Sequence, residues 1–518
     1  MKRQILSLAV VTAAILLPFT SADAQTKAKS AALTPTRASK TTAATAGKLP
    51  ANAPESPLEV AADDYFKQLS DTFGEATLEA CNKPPGDGVN YPSGCIYWQL
   101  GSAFDTVLDY LRRRNDPALA QQFAEVALKN YDITAAPQNN GGIACWYDDF
   151  GWWVAGLQRA IDDSALPGLW SQAQLVRLST IARDNWYSIE TGSEVWNMCQ
   201  WSQDCLKDFG GSDQNVSLQP LFDGGVWNYF WAKEAHAQAD VCNTPCDPTL
   251  APGDDKRFNG LCGRQNTVTN GLHLVAATRR LKPPEPDTKK PNPQSPYYLQ
   301  ATQREAGFLQ NWFNVEQPEL SLRKQLNGGG VVIRERVSVY HDLHQDPGFV
   351  PDLAWLGDQG LILGGAVDFV AALPNDPKAK DMLKLAEDIT DGVLHYFVAK
   401  VDNTDVFLPW SHSENPTGDL PAGLAPGNGQ DSWDYNTGVG VYMRYLLHAY
   451  RTNADLRAHL QKNGYPGLVT KYAESLTLNN QSKHLTCFGL EGGPGGNCSE
   501  EAYQTNALAT IEAAIQMQ

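Results

Sequence analysis

The sequence predicts an all-α protein, an (α/α)6 toroid with one minor β-hairpin and long disulfide-stapled loops. Three observations predict it. From Cys95 onward, apolar residues recur three and four apart in about twelve segments of ordinary helix length. No series of alternating strands competes with them. No polar linker divides the roughly 420 residues they span, so they belong to one domain. Helix hairpins stacked in a closed ring bury a full inner layer and leave an outer layer half exposed, with loops at one end free to build a cleft. An open solenoid would need a repeat of fixed period, which the chain lacks.

Ahead of that domain lie two short regions. Lys2 and Arg3 precede an apolar run from Ile5 to Phe19, and Ala22-Asp23-Ala24 supplies the small residues of a cleavage site, so residues 1–24 read as a secretory leader. Residues 25–57 are Ala, Thr, Lys and Pro with almost no large apolar side chains. They bury too little surface to offset ordering entropy and read as a flexible spacer. Residues 58–518 form the single domain.

Within it the periodic segments are Tyr97–Arg113, Leu119–Asn130, Trp152–Ile161, Leu175–Ile189, Thr267–Leu281, Tyr298–Phe313, Gly360–Ala372, Ala379–Ala399, Thr437–Tyr450 and Ala502–Met517. Weaker ones cover Val226–Ala239 and Leu456–Ala473. Gly, Pro and Asn-rich loops separate them. The β candidate is Gly330–Val339, where Val331, Ile333 and Val337 alternate.

All ten cysteines lie beyond the spacer, an even count that in an exported chain means disulfides. Cys199 with Cys205, and Cys487 with Cys498, are close enough to staple single loops, although spacing does not settle the connectivity. Cys242 and Cys246 lack the second ligand pair of a zinc site. His341 and His344 stand with Asp342 and Asp346 in a polar loop and read as solvated side chains. Gly328-Gly329-Gly330 lacks the Lys-Ser/Thr of a phosphate loop, and there is no Gly-x-Ser-x-Gly elbow. No metal and no cofactor is expected.

The charge is −17, from 41 Lys and Arg against 58 Asp and Glu. That argues against a nucleic-acid partner, which requires clustered basic charge. A mean hydropathy of −0.36 argues against an integral membrane domain. The expected product is a secreted or periplasmic monomer. Its 14 Trp, 19 Tyr and 17 Phe supply flat surfaces that fill cores and stack on sugar rings.

One segment carries the chemistry. Trp146-Tyr147-Asp148-Asp149-Phe150-Gly151-Trp152-Trp153 sets two adjacent carboxylates among five aromatics where the glycine-rich stretch 139–142 gives way to a helix beginning near Gly151. Capping that helix needs one carboxylate; a second beside it adds repulsion. Glycoside hydrolysis employs both, one acid to protonate the leaving oxygen and one carboxylate to attack the sugar or activate water. Consecutive Cα atoms lie about 3.8 Å apart, so rotamers can set the carboxyl groups at about 5–5.5 Å, the retaining separation.

Tyr147-Asp148-Asp149 followed by Trp152-Trp153 resembles the motif of family-76 glycoside hydrolases, the α-1,6-mannanases and related cell-wall transglycosylases. Trp98-Gln99, Asp223-Gly224-Gly225-Val226-Trp227, Gln265–Asn270, Asp358-Gln359-Gly360 and Thr505–Ala509 each resemble a segment of that family, in the same order, across about residues 95–515. The resemblance implies an (α/α)6 barrel, with Asp148 as nucleophile and Asp149 as acid/base of a retaining reaction on a polysaccharide. It makes Trp152, Trp153, Asn266, Asn270, Asp358 and Gln359 candidates for substrate contacts. The chain departs from the family at Asn228, where a second Trp is frequent, and at Asp358, where Asn is common. A transglycosylase on the same site and a silent glycan-binding protein are the rival readings. The first shares every residue, whereas the second gives no reason for adjacent carboxylates.

Overall fold

The computed structural model describes residues 56–81, 93–135, 147–194, 225–226, 266–281, 295–314, 321–335, 354–412, 432–477, 482–488 and 498–518. All fall in one compact unit, Glu55–Gln518. The leader, most of the spacer, Cys199 through Cys262, His341 and His344, and the segment expected to be helical beyond Val226 lie outside the described residues.

The described helices are α1 (Pro57–Glu75), α2 (Leu78–Cys81), α3 (Tyr97–Arg114), α4 (Pro117–Thr134), α5 (Tyr147–Asp162), α6 (Gln172–Glu194), α7 (Thr267–Arg280), α8 (Ser295–Phe313), α9 (Leu356–Ala372), α10 (Ala379–Tyr396), α11 (Ser432–Tyr435), α12 (Gly438–Thr452), α13 (Ala454–Lys462), α14 (Tyr465–Leu476), α15 (Ser482–Thr486) and α16 (Glu500–Met517). Helices α3, α5, α7, α9, α12 and α16 each pack on the next, and α16 returns to α3. These six form a closed inner ring. Outside it, α6 backs α5, α8 backs α7, α10 backs α9, and α1 and α14 back α16. This is the (α/α)6 toroid that the periodicity predicts.

Inner-ring helices are buried nearly all round because neighbours cover them on every side. Residues 356–369 of α9 are buried without a break. Close approach requires small residues. A Cβ at Gly360 would lie 2.8 Å from the Tyr442 Cα, and one at Gly364 would lie 2.1 Å from Tyr445 Cδ1, so α9 and α12 meet backbone to backbone. Outer helices are amphipathic: α10 buries Met382, Leu385, Ala386, Ile389 and Val393 along one stripe.

Like ends of the inner helices meet. At their N-termini Trp98 touches Trp152, Trp152 touches Trp355, and Asn506 Oδ1 accepts from Gly440 N at 2.7 Å. Nearer their C-termini Arg159 reaches Asp109 at 3.1 Å and Arg451 reaches the same carboxylate at 2.6 Å. The ring helices therefore run parallel. A buried ionic lattice crosses the ring below the N-terminal end: Arg159 and Arg444 pair with Asp105 at 3.1 and 3.0 Å, and Arg279 with Asp368 at 3.0 Å. Removing one member of such a pair typically costs about 3–5 kcal/mol, because the partner charge stays buried.

Several boundaries differ from the sequence reading. The expected strand is present as β2 (Val331–Ile333), shorter than 330–339 and paired with the preceding β1 (Arg323–Gln325); residues 336–339 lie outside the described residues. Two further antiparallel pairs were not anticipated, β3 (Ala354–Trp355) with β6 (Trp410–Ser411) and β4 (Val398–Val401) with β5 (Thr404–Phe407). The helix expected to run to Ala399 stops at Tyr396, because Asp402 and Asn403 at φ 48° and 65° turn the chain back into a hairpin. The segment 456–473 is two helices, broken at Gly464 with φ 77°. Helix α1 went unread; a capping box, Ser56 Oγ accepting from Glu59 N and Glu59 accepting from Ser56 N, starts it. Cys487–Cys498 is a disulfide, as its spacing suggests, and Cys81–Cys95 is a second.

Candidate active site

The N-terminal ends of the ring helices gather the candidate residues. Helix α5 starts at Tyr147, four residues before the expected start, so Asp148 and Asp149 occupy its first turn instead of preceding it. Both are half-buried. Behind them the helix has no room to shift, since a Cβ at Gly151 would come within 2.9 Å of Leu272 Cβ. Trp153 is fully buried, donates its indole N–H to Tyr97 O at 2.8 Å and meets Tyr131 edge-on at 5.0 Å. It locks the carboxylate-bearing turn onto α3.

Burial, then the charge of Asp148, then that of Asp434 push the Asp149 carboxyl well above the ordinary carboxylate range. The helix N-terminus pulls the other way, but a dipole contributes about 0.3–1 kcal/mol and one pKa unit is about 1.4 kcal/mol. The dipole cannot cancel two nearby acids plus burial. The two carboxyl groups titrate as a coupled pair in which Asp149 is raised. From below, Tyr97 stays neutral, because burial raises its phenol first and Tyr131 and Asp149 raise it further. Its hydroxyl donates to Asn185 Oδ1 at 2.8 Å.

Aromatic side chains cluster at the same end of the ring. Half-buried Trp98 lies 5.8 Å from the Trp152 ring, Trp152 meets Trp355 edge-on at 6.2 Å, and Trp355 meets Tyr435 at 6.2 Å. Trp355 Nε1 donates to Tyr435 O at 2.9 Å, and Tyr435 Oη donates to the Glu335 carboxylate at 2.5 Å. Beneath Trp152, the Arg444 guanidinium sits 6.0 Å from the ring centre and ties it to the ionic lattice. Trp98 and Tyr435 keep solvent-facing surface; Trp152 and Trp355 are buried behind them.

The other sequence candidates sit at the same end of the ring and have defined partners. Asn266 caps α7 by accepting from Thr269 N at 3.0 Å. Asn270 accepts from Val226 N at 2.7 Å and donates to Val226 O at 3.1 Å and Asn266 O at 2.7 Å. Gln359 does the same for β2, accepting from Ile333 N at 2.8 Å and donating to Ile333 O at 2.7 Å and Trp355 O at 2.9 Å. Both amide donors of each side chain are used, and both residues are buried. They clamp Val226 and β2 onto the ring helices. Asp358 is buried in the first turn of α9.

Sequence reading passed over Asp434, Tyr435, Glu335 and Trp355. A signal was present in Trp433-Asp434-Tyr435, which repeats the aromatic–acid composition of Trp146–Asp149, but sequence distance hid the pairing. Among the described residues no group of three or more His, Cys, Asp or Glu is arranged to hold a metal, and no helix is long and apolar enough to cross a membrane.

A ring of parallel helices with a carboxylate pair and a cluster of aromatic side chains at its N-terminal end defines the class, an (α/α)6 toroid. Solved structures share that fold. An α-1,6-mannanase of glycoside hydrolase family 76 from Salegentibacter sp. HEL1_6 superposes with a TM-score of 0.51 at 13% identity, over 89% of this chain and 100% of that one. A variant of that mannanase, inactive through Asp-to-Asn changes at two consecutive positions and solved with α-1,6-mannotriose, gives 0.50 at 12% identity over 89% and 100%. Dfg5 from Chaetomium thermophilum, in complex with glucosamine, gives 0.50 at 14% identity over 90% and 91%. No protein-family model matches the chain, and no curated protein does.

Proposed function

We propose that the protein is an exported retaining glycoside hydrolase of the family-76 type, cutting within chains of α-1,6-mannan or a related α-linked polysaccharide. The leader (1–24) and spacer (25–57) precede one catalytic domain (58–518), which works as a monomer without metal or cofactor. The observation that carries this reading is the first turn of α5, which brings two adjacent carboxylates together and where burial and the charge of Asp148 push the Asp149 carboxyl above its ordinary range. The shared fold supports it, because a mannanase with that fold is inactive when two consecutive aspartates are changed.

In this mechanism Asp149 gives its proton to the glycosidic oxygen while Asp148 attacks the anomeric carbon, forming a glycosyl ester and releasing the leaving chain. Asp149, now a carboxylate, takes a proton from water, which attacks the ester and frees Asp148. Trp98 and Tyr435 stack on the sugar faces. Asp148→Asn and Asp149→Asn should each abolish turnover of α-1,6-mannan while leaving the far-UV circular dichroism unchanged. Full activity in either variant removes the proposed roles. Product analysis with excess acceptor separates hydrolysis from transfer, since transfer lengthens the products.

A further inference from the structure

Tyr435, the last residue of α11, is held at both ends of its side chain. At the base, the Tyr435 carbonyl accepts from Trp355 Nε1 at 2.9 Å, and Oδ1 of the next residue, Asn436, accepts from Phe488 N at 2.9 Å. At the tip, the phenol donates to a Glu335 carboxylate oxygen at 2.5 Å. Between them, Trp355 and Trp410 meet the ring nearly edge-on, with centroids 6.2 and 6.4 Å away. These supports are themselves fixed. A Cβ at Gly438 would lie 2.6 Å from Trp355 Nε1, so the indole is wedged against the start of α12. Glu335 is anchored through its backbone: its carbonyl accepts from Thr267 N, at the start of α7, at 2.7 Å, and the preceding Arg334 N donates to Leu322 O at 2.8 Å. The bond between the two side chains therefore ties the N-terminus of α7 to the segment that leads into α12.

Held in this way, Tyr435 still keeps solvent-facing surface. Its support Trp355 meets Trp152 at 6.2 Å, one turn along α5 from Asp148 and Asp149 and so on the same helix face. A tyrosine side chain has two torsions to fix, and a loose ring loses that freedom each time a ligand stacks on it. A ring fixed beforehand spares the ligand this cost. A carboxylate acceptor suits the task, because a hydrogen bond to a charged group is about twice as strong as a neutral one. Resting on the glycosidase reading, we propose that Glu335 is a positioning residue that acts through Tyr435, holding the phenol ring in the plane on which one sugar unit of the polysaccharide stacks. The occupant presents the C–H face of a pyranose ring, so the bond sets affinity for the chain and takes no part in proton transfer.

The test is a double-mutant cycle on the full chain with α-1,6-mannan. Glu335→Ala should raise KM about fivefold or more and lower kcat by less than about twofold, since the bond orients a platform and touches no reacting atom. Tyr435→Phe keeps the ring, loses the same bond and should match it. The double variant should fall within about twofold of either single one, because both remove one interaction. Glu335→Gln keeps an acceptor oxygen in place and should recover most of the affinity. Losses that multiply in the double variant, a fall in kcat at constant KM, or a wild-type KM in Glu335→Ala overturns the proposal. A second readout needs no substrate. In NMR of protein carrying tyrosine labelled at the ζ carbon, the signal that Tyr435→Phe removes should move in Glu335→Ala and return toward its wild-type position in Glu335→Gln. If that signal is the same in wild type and Glu335→Ala, Glu335 does not hold the ring, whether or not mannan is cut. If it moves while mannan is neither bound nor cut, the hold on Tyr435 stands and the substrate assignment falls.

Discussion

Asn270→Ala separates the two roles open to a buried amide beside the cleft. The side chain makes three hydrogen bonds, of which two satisfy the amide and carbonyl of Val226, a fully buried residue. Deleting it strands one buried backbone donor and one buried acceptor, each worth about 1–3 kcal/mol when left unpaired. Partial relaxation and water entry trim that sum, so a loss of about 2–4 kcal/mol is expected. In urea unfolding followed by tryptophan fluorescence, the midpoint should fall while the slope stays constant. Near the midpoint of the wild-type temperature range, residual folded enzyme should keep its KM. Wild-type stability together with a raised KM would refute the reasoning and return Asn270 to direct substrate contact.

Gly364→Ala should cost about 1–3 kcal/mol by forcing α9 and α12 apart, because the new Cβ would stand 2.1 Å from Tyr445 Cδ1; a thermal midpoint equal to the wild type would show that the ring tolerates the shift. Replacing both Cys487 and Cys498 by Ala frees an 11-residue loop and should lower stability by about 3 kcal/mol on the loop-entropy account, measured by urea titration without reductant. His273 bridges Glu190 and Glu305, and Glu190 also pairs with Arg304. Burial alone would raise Glu190, but His273 and Arg304 outweigh it and hold the carboxyl at about 2, so its stabilisation is present above 4.5 and lost as pH falls through about 2. Burial opposes protonation of His273, yet Glu190 and Glu305 raise its pKa, so that contribution is full below 6.5 and lost as pH rises through the raised value. Glu305, raised chiefly by burial, likewise contributes below 4.5 and loses its contribution through its own raised value. His273→Gln should therefore flatten the alkaline decline of the urea midpoint; parallel wild-type and variant curves would exclude that contribution.

How much of this was legible differs from element to element. The inner helices read clearly because apolar residues three and four apart recur along their sequences, even though the ring then covers several of them on every side. Trp152-Trp153 and Leu363-Gly364-Gly365 are local patterns with local causes. Helix α1 escaped because its start depends on Ser56 and Glu59 at the edge of a low-complexity stretch. The β4–β5 hairpin escaped because Tyr396–Ala399 continues a helical period until the left-handed turn at Asp402-Asn403 reverses the chain.

The candidate site divides in the same way. Two consecutive aspartates among aromatics announce acid chemistry from the sequence, since their adjacency is covalent. Their unequal environments are not covalent. Asp434 lies 285 positions after Asp149 by residue number, and Trp355 another long interval from both, so ring closure alone makes them neighbours. The amides at 270 and 359 look equally fit for sugars or for backbone until the loops they hold are in place. Sequence by itself determined most of the helices, and it raised the expectations of a leader and of a reactive aspartate pair, all encoded within a turn or two of chain. Tertiary structure decided the unequal surroundings that raise the Asp149 carboxyl and which polar side chains are already spent, because desolvation and Coulomb forces depend on distance in space.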